Sequence, residues 1–178
     1  MSKAEDDRFV PLAEVARPHG VRGELRLKVF NSESDLLLDQ EEVLLREKDG
    51  NEHEVSVDKA RRADAAILLK LHSVDDRDRA DELRGAIIGL RRSQFPPPEE
   101  GAFYACDIEG ARVVVEGEGV REIGTVRSLT SYPSVDVLVV HANDGGKDWE
   151  IPLVEAYIAN VDVDGGLVTL RTLDDLER

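Results

Sequence analysis

Alternation of apolar and polar residues divides the first half of the chain into short strands. Phe9–Ala16 is the first, with Val10, Leu12 and Glu14 opposing their neighbours. Glu24–Phe30 is cleaner. Leu25, Leu27 and Val29 take one face and Glu24, Arg26 and Lys28 the other, the period of two that marks a half-buried strand. Glu42–Arg46, His53–Ala60, Ala66–Leu71 and Ala86–Arg92 follow, with Asp49-Gly50 as a hairpin turn. Between the first two strands, Arg17-Pro18-His19-Gly20-Val21-Arg22-Gly23 is a turn by composition, because proline presets one φ and two glycines permit positive φ. One short helix is expected, capped by Ser73 or Asp75 and ended by Gly85. Asp75 and Asp76 suit its positive end, and Arg77 and Asp81, four residues apart, can pair on its surface. Six short strands and one small helix predict a closed or nearly closed β-barrel.

The rhythm breaks at Gln94-Phe95-Pro96-Pro97-Pro98-Glu99-Glu100. Consecutive prolines lack backbone donors and favour a stiff extended spacer, so neither helix nor inner strand continues through them. Beyond it the strand pattern resumes over Ala111–Val115, Glu122–Leu129, Val135–Val140, Asp148–Ile151 and Leu167–Leu170. Turns are expected at Glu116–Gly119, Asn143–Gly146 and Asp164–Gly166. Ala156–Val163 fits a strand or a helical turn, the strand being favoured. The prediction is therefore a mainly β chain of two small barrels joined by a proline-rich linker. Residues 1–93 form the first domain, 94–100 the linker and 101–178 a second, antiparallel barrel. Each half is large enough to fold without staples.

Charge sharpens the division. The 178 residues carry a net charge of −15, and residues 99–178 hold 17 acidic against 6 basic side chains, a net of −11. Such a half is a poor binder of phosphate and a natural partner for a basic protein, though acidity also serves solubility alone. Against that background Arg8, Arg17, Arg22, Arg26 and Lys28 make a local positive patch. The single cysteine, Cys106, excludes an internal disulfide framework and reads as a reduced thiol. No apolar run approaches a membrane span and Met1–Arg8 is too charged for a signal peptide, so a soluble cytoplasmic protein is expected.

Catalytic patterns are missing. There is no Gly-x-Ser-x-Gly elbow. Gly145-Gly146-Lys147 is followed by Asp148 where a phosphate loop needs Ser or Thr, and Gly117-x-Gly119 lacks the third glycine of a dinucleotide site. His19, His53, His72 and His141 are isolated from one another and offer no metal-ligand spacing. No catalytic residue, metal or cofactor is expected, and nothing points to an enzyme.

Pro18-His19-Gly20-Val21-Arg22-Gly23-Glu24-Leu25-Arg26 resembles the opening signature of the RimM family of ribosome maturation factors. The resemblance continues in order through Val74–Ala80 with Leu83-Arg84-Gly85. It extends to Glu100–Tyr104 with Asp107 and Gly110, then to Asp136–Val140 and Ile151-Pro152-Leu153. It implies a translation-factor-type six-stranded barrel followed by a PRC-barrel. It further implies a non-enzymatic monomer that assists assembly of the 30S head and 16S rRNA maturation. The direct protein partner it implies is the nineteenth small-subunit ribosomal protein. On that reading Phe103, Tyr104 and Asp107 belong to the protein-partner surface. Adjacent rings on an extended segment face opposite ways, so one can pack and the other be presented, and Tyr104 is the favoured presented ring. The sequence departs from the family at Phe103, commonly tyrosine, and at Ala105, often aromatic. Arg17, His19, Arg22 and Arg26 are the candidates for rRNA contact, with a solvated hairpin face as the competing reading. A translation-factor-like RNA-binding module without a dedicated protein partner is the alternative function.

Overall fold

The computed structural model describes residues 7–117 and 119–176. The chain divides after Pro96 into two compact units. In the first, β1 (Phe9–His19), β2 (Glu24–Val29), β3 (Glu42–Arg46), β4 (Glu52–Ala63), β5 (Ala66–Leu71) and β6 (Ile87–Arg91) form a closed barrel in the order β1-β2-β5-β4-β3-β6. Closure is antiparallel, β6 pairing with β1 from Phe9–Arg91 to Glu14–Ile87. The expected alternation sets which side chains fill it. Leu25 and Leu27 of β2, Ile67, Leu69 and Leu71 of β5, and Ile88 and Leu90 of β6 are fully buried.

Two strand ends lie three residues beyond the sequence reading, the other strand boundaries within two. β1 continues through Arg17-Pro18-His19, so the turn is confined to residues 20–23. Beyond Val15 the strand pairs only with β2, with a register shift between Val15 and Arg17, and a strand tolerates proline on such a one-sided stretch. β4 extends to Ala63 rather than Ala60, which brings Arg61 and Arg62 into the sheet.

The short helix α1 (Arg77–Glu82) is capped by Asp76, not by Ser73 or Asp75. Asp76 is extended and its carboxylate accepts the Arg79 N–H at 2.8 Å, while Ser73 has a positive φ in the turn after β5. Arg77 does not serve Asp81: it donates to the Gly20 carbonyl, and Asp81 pairs with Arg84. Gln94 and Phe95, the first two residues of the expected linker, pack with the first unit. Gln94 accepts the Arg91 N–H at 2.7 Å, and buried Phe95 lies under the guanidinium of buried Arg92.

The second unit holds α2 (Ala105–Ile108), β7 (Arg112–Val115), β8 (Arg121–Ser131), β9 (Asp136–Ala142), β10 (Trp149–Pro152), β11 (Ile158–Asp162) and β12 (Leu167–Leu170). The strand favoured within Ala156–Val163 is β11. The six strands form one sheet ordered β10-β9-β8-β7-β12-β11, a half-barrel, and it is mixed rather than antiparallel, because β12 returns parallel to β7. Its core is Ile108, Val113, Val126, Leu138, Val140, Ile151, Val168 and Leu170, with Ala111 and Ile123. Gly124 is required where β8 meets β9, since a Cβ there would collide with the His141 carbonyl. The expected turn at Glu116–Gly119 includes Glu118, which lies outside the described residues, as do residues 1–6 of the Met1–Arg8 segment.

Candidate functional site

The basic patch sits on the β1–β2 hairpin, and the register shows which of its members meet. Arg17 lies directly opposite Arg26, Pro18 opposite Leu25 and His19 opposite Glu24. Gly23 (φ +76°) presses the turn onto the segment ahead of α1, where a Cβ would collide with the Val74 carbonyl. That carbonyl accepts Lys70 Nζ at 2.6 Å, and Arg77 holds the other end of the turn through Gly20 at 3.3 Å. The loop is therefore anchored at both glycines, while Val21 at its tip is 72% exposed and Arg22 is exposed beside it.

Glu24 is the acid within the patch. Arg61 of β4 reaches it with two nitrogens, each at 3.2 Å, and His19 Nε2 stands at 3.9 Å. Arg17, Arg22 and Arg26 have no side-chain hydrogen bond or ion pair among the described residues. The four predicted residues thus share one hairpin, but only Arg17 and Arg26 face each other directly. Arg61 was missed because the strand that carries it was expected to end at Ala60. The run of polar residues through Arg61-Arg62 was the signal that could have found it.

In the second unit, Phe103 packs against the hydrophobic core. Tyr104 is the extended residue that starts α2, and its carbonyl accepts the Asp107 N–H at 2.8 Å. Tyr104, Cys106 and Asp107 are all half-buried, and Cys106 is in no disulfide.

Other titratable groups meet in small clusters. His72 lies 3.2 Å from Asp58. Asp148 accepts Arg127 at 2.8 Å and lies 3.0 Å from His141. The Arg127 hydrogen bond, with the His141 contact second, holds the Asp148 carboxyl below its ordinary range. Among the described residues no group of three or more His, Cys, Asp or Glu is arranged to hold a metal ion. No helix among them is long and apolar enough to cross a membrane. A recess is lined by Glu47, Lys48, Asp49, Glu82, Leu83 and Ala86.

Comparison with known proteins covers both units. A family described as RimM N-terminal domain matches residues 10–95, and one described as RimM PRC barrel domain matches residues 106–176. The ribosome maturation factor RimM of Sorangium cellulosum (strain So ce56) is 47% identical over 169 residues, 95% of this chain and 98% of its own. That of Thiobacillus denitrificans is 34% identical over 172 residues, 97% of this chain and 88% of its own. The solution structure of the N-terminal domain of RimM from Thermus thermophilus aligns with a TM-score of 0.42 and 22% identity over 51% of this chain and 96% of its own. With both units matched in order and nearly the whole length covered, the chain belongs to the RimM family of ribosome maturation factors.

Proposed function

We propose that this protein is a monomeric, cytoplasmic, non-enzymatic assembly factor of the small ribosomal subunit. It binds the head of the immature 30S particle through the nineteenth small-subunit ribosomal protein and promotes 16S rRNA maturation. The observation that carries the reading is the match, across 95% of the chain, to a relative named ribosome maturation factor. Within that frame the two units suit different partners. The acidic half, net −11, favours a basic protein. Its α2 segment offers Tyr104 and Asp107 half-buried beside Phe103, whose ring is committed to the core. The basic hairpin of the first unit, with Arg17, His19, Arg22 and Arg26, favours rRNA phosphate. The two units, which divide after Pro96, share the work along the same line.

Co-sedimentation of the full chain with purified immature 30S particles, from 50 to 200 mM salt, tests the proposal. Binding should persist into the upper salt range and be competed by the isolated ribosomal protein. Affinity that collapses steeply with salt and resists that competitor would favour the alternative, an RNA-binding module with no dedicated protein partner.

A further inference from the structure

We propose that the outer face of the first barrel, across β1, β2, β5 and β4, docks the phosphodiester backbone of RNA, with Arg17, Arg26 and Arg61 as its contacting row. This deepens the ribosomal reading and rests on it. Pairing registers place Arg17 opposite Arg26, Arg26 opposite Leu68, and Leu68 opposite Arg61. Directly opposed residues share a face, so the row crosses four adjacent strands, about 14 Å at the usual strand spacing. The ion pair confirms the facing of Arg61: to reach Glu24 on β2, its side chain must span β5.

Two features set this row apart from a solvated charged face. Arg17 and Arg26 are like charges directly across a strand pair, an arrangement that destabilises a sheet. Neither is neutralised among the described residues, in a chain with 38 acidic side chains against 23 basic ones. Glu24 is engaged by Arg61 and His19 instead. The second feature is Leu68, 2% exposed although it shares the outer face with its arginine neighbours. Long side chains flanking it on both sides can cover it with their stems and hold their guanidinium groups outward. A planar guanidinium matches a phosphate with two parallel hydrogen bonds, and a phosphate between Arg17 and Arg26 would relieve their repulsion.

The test is fluorescence anisotropy of the full chain with a labelled 20-nucleotide RNA hairpin, between 50 and 200 mM salt. Arg17→Gln with Arg26→Gln should weaken binding at least about tenfold at 50 mM and reduce the salt slope by about one to two. Its melting temperature without RNA should stay level or rise, because the opposed charges are gone. Lys48→Gln with Lys147→Gln, the same loss of charge elsewhere, should change affinity less than about twofold. Unchanged affinity and slope in the arginine pair would overturn the proposal. So would an equal loss in the lysine pair, or poly-glutamate binding as tightly as RNA with the same dependence on Arg17 and Arg26. If the wild-type chain sediments with 30S particles while the arginine pair leaves hairpin binding intact, this face fails and the ribosomal reading stands. If the wild type fails to sediment with them, that reading fails.

Discussion

Neighbouring side chains of the same class hold different positions in this protein. Phe103 packs against the core of the second unit, whereas Tyr104, next to it, is the half-buried residue at the start of α2. Phe103→Ala should therefore cost about 2 kcal/mol of stability, seen as a marked fall in melting temperature. Tyr104→Ala should shift the melting temperature by only a few degrees and weaken binding to the purified basic partner at least about tenfold. A large fall in melting temperature with unchanged affinity for Tyr104→Ala would make that ring structural. Asp148 gives a second test. Its carboxyl is lowered in the folded state by Arg127 and then His141, so its stabilising contribution is present above the ordinary carboxylate value of 3.8 and lost as pH falls through the lowered one. Asp148→Asn should melt below the wild type at neutral pH, and the gap should narrow as pH falls below 3.8. A gap that stays constant through the acid range would place its cause outside the carboxylate's charge.

At the scale of elements, the β1–β2 hairpin depends on one glycine. Gly23 needs its positive φ, and the Val74 carbonyl occupies the space of any side chain there. Gly23→Ala should destabilise the first unit by about 2 kcal/mol or more, read from chemical denaturation. A loss below about 0.5 kcal/mol would show that the turn can lift away from the segment before α1. The alternation of Leu25, Leu27 and Val29 and the apolar run of β5 made the barrel legible in the sequence, because a period of two with one buried face allows little else. Pro18 was misleading. Proline in a glycine-bearing stretch signals a turn, and only the pairing pattern shows that β1 is one-sided there. The cap of α1 and the end of β4 were displaced for a similar reason: neighbouring Asp residues, or Ala60 against Ala63, compete at a boundary that tertiary contacts decide. The parallel return of β12 beside β7 left no trace in local sequence, because register between distant strands is set by packing. Of the candidate site, the hairpin charges were legible, but Arg61 came from another strand and was brought in only by the fold.

On the scale of the whole molecule, two units of different charge are joined in one chain. The relatives carry the name of a ribosome maturation factor, which describes an assembly role rather than catalysis. Linking two modest binding surfaces in one chain raises affinity without new contacts at either. The central claim, that the protein promotes maturation of the small subunit, is tested most directly by 16S rRNA precursors and subunit profiles in a strain lacking it. The account predicts accumulated precursors and excess free 30S subunits, both reversed by a plasmid copy of the wild-type gene. Normal processing and normal profiles in that strain would contradict it.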